Sequence, residues 1–289
     1  MRIVELFGKD RPVISFEFFP PRTEKGFTSL FRTIAELKRL DPAFVSVTWG
    51  AGGSTRRKTV ELVIRIQNEL GITAMAHISC VGSTREEISA ALGQLERGGI
   101  ENVLPLGGDW PEGYVPPPDA FRYANQLVEF IRPRWDFCMP AACYPETHPR
   151  APRPEFDMEM LVQKVAAGVD FLITQLFFDN DDYFRFLERS RAAGLDLPVV
   201  PGIMPVISGP NIRRMTSMCG ARIPRRLEER LAQAGDRDNE ATLEVGIDWA
   251  TAQCRELLDQ GAPGIHFYTL NRSPATRRIY ESLFPSGVP

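Results

Sequence analysis

Residues 14–50 read ISFEFFPPRTEKGFTSLFRTIAELKRLDPAFVSVTWG, and this stretch decides the fold. It opens and closes on apolar runs of strand length, 14–19 and 44–50, rich in Val, Ile and Phe. Between them Phe27–Leu40 repeats its apolar residues every three or four positions, the period of a helix with one buried stripe. The flanking runs are almost continuously apolar, as strands covered on both faces must be, and strands of that kind belong to parallel sheets. Two parallel strands need a crossover, and the intervening helix supplies it. The stretch is therefore a β-α-β unit.

The unit repeats along the chain. Further strand-length runs fall at 73–80, 102–108, 137–144, 171–178, 198–205 and 264–270. Helical patterns separate them: Thr55–Leu70, Thr84–Arg97, Phe121–Arg132, Glu155–Ala167, Asp181–Ala193, Asn211–Met218 with Pro224–Ala234, Glu240–Gln260, and a last one over Pro274–Leu283. Ser83 or Thr84 can cap a helix whose first turn holds Glu86 and Glu87. Gly71, Gly98, Gly168, Gly194 and Gly261 follow helical patterns where a left-handed residue is wanted. Eight strands alternating with helices give an α/β fold, a (β/α)8 TIM barrel, read as a single domain over residues 1–289.

Composition fits this reading. The chain has 289 residues, 43% hydrophobic and 25% charged, with a formal net charge of −3. No global basic field recruits nucleic acid or an anionic membrane. No run approaches the roughly 20 apolar residues of a membrane span, and MRIVELFGKDRP has no apolar signal core, so a cytoplasmic protein is expected. Cys80, Cys138, Cys143, Cys219 and Cys254 are scattered and form no C-x-x-C pair; free thiols are expected rather than disulfides or a zinc site.

Active sites of such barrels lie at the C-terminal ends of the strands, so polar residues there are the candidates. Strand alternation puts Ser15, Glu17 and Phe19 on one face and Ile14, Phe16 and Phe18 on the other. A carboxyl among phenylalanines is expected to be desolvated, with a raised pKa that suits a general acid; the alternative is a structural pair with an arginine. Ser46 and Thr48 share a face before Gly50, Gly52 and Gly53. His77 lies in the third strand, where a satisfied core histidine is the commoner role. The fourth strand ends Gly107-Gly108-Asp109, a site carboxylate or a turn cap. Tyr144 and His148 sit in a proline-framed loop after the fifth. Gln175 stands in an apolar strand and needs partners, since an unsatisfied buried amide costs roughly 1–3 kcal/mol. The last strand carries His266 and Tyr268 on one face and Arg272 at its mouth, where a guanidinium can meet a substrate carboxylate. The three histidines show no metal-ligand spacing, and redox chemistry would fall to an organic cofactor.

These segments, in this order, resemble the catalytic domain of methylenetetrahydrofolate reductases in their short bacterial form. The resemblance rests on Ser15–Pro21 (SFEFFPP), Phe44–Ala51 (FVSVTWGA), Tyr144–Pro149 (YPETHP), Ile173–Phe178 (ITQLFF), Pro201–Val206 (PGIMPV) and His266–Arg272 (HFYTLNR). It implies FAD in the barrel mouth, NADH or NADPH as co-substrate, and reduction of 5,10-methylenetetrahydrofolate to 5-methyltetrahydrofolate. By the same resemblance Glu17 is the general acid on folate N10, and Asp109 tunes the flavin. Thr48, His77, Gly108, Asp109, Tyr144, His148, Asp157 and Lys164 match flavin-contacting positions. Gln175, Asn211, Tyr268 and Arg272 lie with Glu17 on the folate side. A homo-oligomer is expected, and a partner electron-transfer subunit is an alternative source of electrons. Another barrel enzyme is a second alternative, although a Schiff-base aldolase would need a strand lysine.

The chain departs from the family pattern at Gly107, where an arginine toward the flavin's polar tail is usual. It also departs at Met160 and Gln163 on the flavin side and at Asn211 and Met215 on the folate side. Weakened FAD binding is expected, with Arg56, Arg57 or Lys164 to compensate.

Overall fold

A computed structural model gives the structure of the chain; it describes all residues except 10, 22, 51–52, 110–112, 114, 117–118, 236–239, 273, 286 and 288–289, and the side chains of 53–55. Strands and helices alternate as β1 (Val13–Phe18), α1 (Glu24–Lys38), β2 (Phe44–Val47), α2 (Gly53–Leu70), β3 (Ala74–Ser79), α3 (Arg85–Arg97), β4 (Asn102–Leu106), α4 (Ala124–Ile131), β5 (Pro140–Cys143), α5 (Pro154–Ala166), β6 (Phe171–Thr174) and α6 (Asn180–Ala192). Then follow β7 (Val199–Val200), β8 (Gly202–Ile203), α7 (Gly209–Cys219), α8 (Arg225–Gln233), α9 (Glu240–Asp259), β9 (Gly264–Tyr268) and α10 (Pro274–Leu283).

All ladders are parallel. One runs in the order β4-β3-β2-β1-β9-β8 and the other β5-β6-β7. A parallel bridge, Asn102 to Cys138, joins β4 to the start of β5, with Cys138 N donating to Glu101 O at 2.8 Å. The seventh run, expected as one strand over 198–205, is divided at Pro201. Proline has no N–H for a ladder. β7 pairs with β6, β8 pairs with β9, and the segment changes neighbour at the break, which closes the barrel.

The helix signals hold with one exception. Thr84 and Glu87 form a capping box at α3. Gly71, Gly168, Gly194 and Gly261 have positive φ. Gly98 does not: its φ is −78° and it ends α3 in a right-handed conformation, leaving the left-handed position to Gly99, at +78°.

Alternation along the strands divides the core in two. Ile14, Phe16, Phe18, Val45 and Val47 pack outward against the helices with Ile34, Leu62, Ile88 and Ile279. Val13, Phe44, Met75, Leu104, Cys138, Phe171 and Val200 point inward and fill the lower barrel. A 3-10 turn, Ile3–Leu6, closes that end. Ile3 is fully buried there, its N–H donating to Asn102 Oδ1 at 2.8 Å, and Phe7 meets Phe171 edge-on at 5.0 Å.

Candidate active site

One pleat above this apolar layer the inward positions turn polar. Ser15 and Glu17 follow Val13 on β1, Ser46 follows Phe44, and His77 follows Met75. Parallel pairing brings Ser15 opposite His266 and Glu17 opposite Tyr268 on β9, and Glu17 opposite Ser46 on β2. All of these except Tyr268 are less than 9% exposed.

Glu17 is the centre of the group. His266 Nε2 and His77 Nε2 each stand 3.4 Å from its Oε2. The far nitrogen of His266, Nδ1, is 2.8 Å from Ser15 Oγ. The ring lies stacked on Phe44 (5.9 Å) and edge-on to Tyr268 (5.4 Å), so its orientation is fixed. Burial pushes the Glu17 carboxyl up, but His77, His266 and the Ser46 hydroxyl outweigh it and hold it below the ordinary value of 4.5. This corrects the raised pKa expected from the phenylalanines. Those rings face outward, and the inward neighbours are imidazoles. Burial pushes His77 below its ordinary 6.5, so the pair rests as a carboxylate beside a neutral ring.

The strand ends above Glu17 are tied together. Thr269 Oγ1 donates to Glu17 O at 2.6 Å. The Asn271 side chain accepts from Phe19 N at 2.8 Å and donates to Phe19 O at 2.9 Å. Leu270 and Asn271 have φ of 52° and 58°, a left-handed pair that costs energy in side-chain-bearing residues and is held by this clasp. Arg272, just beyond, is exposed at the mouth. Tyr268 donates its hydroxyl to Thr174 O at 2.6 Å, and burial holds that phenol well above its ordinary value. The close pass needs Gly202: a Cβ there would stand 2.3 Å from Thr174 O and 2.6 Å from the Tyr268 ring.

The opposite wall comes from the loop after β5. Tyr144 and His148 meet edge-on at 4.6 Å. Burial, reinforced by Asp109 and Asp157, pushes the Tyr144 phenol up to about 12, and the Gln175 side chain bonds to it. Gln175 Oε1 also accepts Leu176 N at 2.8 Å, so its amide is served within the protein. Asp157 Oδ2 accepts His148 N at 2.9 Å. Lys164 Nζ donates to Ala142 O at 2.9 Å, and burial lowers its pKa. Thr48 O accepts Thr59 Oγ1 at 3.1 Å. Asn211 lies in the first turn of α7, partly buried, with Met215 one turn on.

Asp109 does not join the Glu17 group. Its side chain is fully exposed, with Arg150 Nη2 3.6 Å away. Gly108 brings the chain close to β3: at φ +80° its missing Cβ would overlap Ser79 Oγ. Gly107 is partly buried, and an added Cβ there would meet Ala124 N at 3.8 Å, an ordinary contact. The cations expected to compensate are committed elsewhere: Arg56 lies 3.4 Å from Glu87, and Lys164 is tied to β5. Arg57 has no interaction that bears on the question. Sequence reasoning missed Arg150, and it did not link Ser15, His77 and His266 to Glu17. The β1–β9 pairing was available, since the first and last strands of a barrel are neighbours; the register was not. Among the described residues, no three or more His, Cys, Asp and Glu side chains are arranged as a metal site, and no helix is long and apolar enough to cross a membrane.

These residues fit the ring portion of a large planar cofactor better than its phosphates. Tyr144, His148 and His77 offer aromatic faces and edges around the mouth, whereas Gly107 offers no cation and Lys164 is engaged.

A family model described as methylenetetrahydrofolate reductase matches residues 2–284. Methylenetetrahydrofolate reductase (NADH) 1 of Zea mays is 38% identical over 296 residues, covering 98% of this chain and 50% of the maize protein. The 5,10-methylenetetrahydrofolate reductase of Escherichia coli is 36% identical over 270 residues, covering 93% of this chain and 90% of its own. The chain thus spans about half the length of the plant relative. Among solved structures, an uncharacterized Clostridium thermocellum protein that binds two copies of 5-methyl-5,6,7,8-tetrahydrofolic acid superposes with a TM-score of 0.69 at 16% identity, covering 99% of this chain and 97% of that one. Dihydropteroate synthase from Xanthomonas albilineans gives 0.52 at 13%, covering 97% and 95%. These two likenesses concern the fold alone.

Proposed function

The chain belongs to the methylenetetrahydrofolate reductase family, and we propose that it reduces 5,10-methylenetetrahydrofolate to 5-methyltetrahydrofolate with electrons from NADH passed through FAD. NADH is preferred to NADPH because it is the donor named for the maize relative. The observation that carries the reading is Glu17, buried at the mouth between two imidazoles within the motif Ser15–Pro21.

Thr48, His77, Gly108, Asp109, Tyr144, His148, Asp157 and Lys164 would hold FAD. When bound, FAD supplies a two-electron carrier that accepts from the nicotinamide and gives to the folate. Asp157 and Lys164 act indirectly, by fixing the His148 loop and the end of β5. Gln175, Asn211, Tyr268 and Arg272 hold the folate. Gln175 presents its amide beside Tyr144, and the exposed Arg272 guanidinium meets a carboxylate of the folate tail.

Glu17 donates the proton to N10, opening the imidazolidine ring to an iminium. It rests ionised, so it must first gain that proton. His266 Nε2 is placed to pass one, with the ring held by Ser15 Oγ on the far nitrogen. A pterin ring over the mouth withdraws the remaining water, removes solvation from the carboxylate and shifts it toward its acid form. Glu17 must be neutral to donate and is left as a carboxylate when the cation forms, and the exposed Asp109 adds to the negative field that meets that cation. Two carboxyls in unlike settings take unlike roles.

The test is anaerobic absorbance of the FAD-supplemented protein. NADH should bleach the flavin bands and methylenetetrahydrofolate should restore them. No bleaching at saturating FAD and NADH, or no recovery, sinks the reading. A second reading, a weak-FAD variant, is favoured by Gly107 and by the engaged Lys164. Protein purified with a full complement of flavin and sub-micromolar FAD affinity would reject it.

A further inference from the structure

The loop after β5 is fixed more firmly than ring contacts require. Arg189 of α6 donates to Pro145 O at 2.7 Å. Glu146 accepts Arg222 N at 3.1 and 2.8 Å on its two oxygens. Arg222 Nη2 in turn binds both oxygens of Asp182 on α6, at 2.9 and 2.8 Å, and Arg185 reaches Asp182 Oδ1 at 2.6 Å. Gly220, the left-handed cap of α7, lies under Pro149; a Cβ there would stand 2.9 Å from its Cγ. One residue, Arg222, therefore joins the loop, α6 and the segment leaving α7.

The placement is chemically pointed. Glu146 and Asp182 have side chains 14% and 7% exposed, while the arginine they share is 67% exposed. Carboxylates out of water beside a solvated cation are held at a cost; without Arg222, Asp182 would keep only Arg185 and Glu146 would lose the guanidinium beside it. The groups facing Glu146 are Asp182 from α6, and Cys219 and Arg222 from the end of α7; from α6, Arg185 reaches Asp182 and Arg189 reaches Pro145 O. Burial, with Asp182 adding to it and Arg222 opposing, pushes the Glu146 carboxyl up to about 7. The loop carries Tyr144 and His148; α7 carries Asn211 and Met215.

We propose that Glu146 and Arg222 are positioning residues that set the spacing between the cofactor wall and the folate wall of the cleft. The identity of the walls rests on the function proposed above; the docking of loop onto helix does not. A carboxyl whose folded pKa is raised favours the docked state most when protonated. Docking is then tightest below the ordinary value of 4.5 and loosens as pH rises from there through about 7.

The test uses the full chain with Arg222→Ala, Arg222→Lys and Glu146→Gln. Amide hydrogen exchange of residues 144–149 and of α7 is followed against pH, corrected for intrinsic exchange, beside KM and kcat for methylenetetrahydrofolate. In the parent protein both segments should become less protected together as pH rises from about 4.5 to about 7. Arg222→Ala should speed exchange in both by about tenfold, the scale of one lost charge-assisted hydrogen bond. It should raise KM similarly with kcat within about twofold, and Arg222→Lys should recover part of each. Glu146→Gln should remove the pH dependence and hold exchange at its low-pH level. Exchange that rises in one segment alone or in neither, KM unmoved while kcat and Tm fall, or a pH dependence that survives Glu146→Gln overturns the proposal. Exchange needs no flavin or folate, so a protein without reductase activity would sink the functional reading and still score this one. Should Arg222→Ala fail to fold, Glu146→Gln decides.

Discussion

The two ends of the barrel are made from the same strands and differ in almost every physical respect. At the lower end Val13, Phe44, Met75, Phe171 and Val200 point inward under a turn that buries Ile3. One pleat higher the same strands present Ser15, Ser46, His77 and Glu17. The lower layer gains from burial, with each large apolar side chain worth about 1.5–3 kcal/mol. The upper layer gains nothing of the kind, because a buried carboxylate and its imidazoles must repay desolvation. The contrast shows which end selection for folding explains and which end it does not.

Substitutions should separate the ends. The largest effect is expected at the mouth. Glu17→Gln should cost about 10²–10⁴ in the folate half-reaction, the span of general acid catalysis, leave flavin reduction by NADH intact and leave Tm unchanged or higher. Equal loss of both half-reactions would make Glu17 structural and erase the contrast. Next comes the floor. Phe171→Ala should lower unfolding free energy by about 3–5 kcal/mol in a denaturant titration, while kcat per folded molecule stays near that of the parent. A kcat that fell with stability unchanged would show the two layers to be one mechanical unit. Asn102→Ala removes the acceptor for Ile3 N and should cost about 1–3 kcal/mol, read in the same titration, with no change in activity.

The smallest effect concerns pH. Because burial holds His77 below 6.5, the unfolded chain binds a proton more readily than the folded one just below that value. Stability should therefore fall as pH drops below about 6.5. His77→Gln should flatten that slope in Tm measured from pH 5 to 7, whereas substitution in the floor should leave it. An unaltered slope would assign the titration to another group.

The sequence carries the apolar half of this contrast plainly. Period-two and period-3.6 patterns locate the strands and helices, and alternation in Ile14–Phe19 places Glu17 on the inward face. Pro201 was legible as a residue without an N–H but was taken within a continuous strand; that the segment changes neighbour there depends on barrel closure. The polar half is less legible because its chemistry depends on register across strands. Glu17 meets His266 only when Ser15 pairs with it, and that pairing reverses the pKa expected from neighbouring phenylalanines. Asp109 follows two glycines, as a site carboxylate does, yet it stands fully exposed beside Arg150, an arginine with no periodic or motif signal. Arg222 likewise acts through a backbone N–H and a tertiary contact with α6, neither of which leaves a local pattern.

The clasp of Asn271 on Phe19 and the contact of Ser15 with His266 span 252 and 251 positions of sequence. The carboxyl is thus translated among the first residues of the barrel and its imidazole partner among the last. A ribosome must add the 251 positions that separate Ser15 from His266 before the two can meet. Until then β1 lacks its β9 neighbour, and the nascent chain carries an unpaired edge and a carboxyl that has His77 but not yet His266 beside it. The full proton-bearing cluster is therefore acquired only as the barrel's last strand closes the sheet on itself.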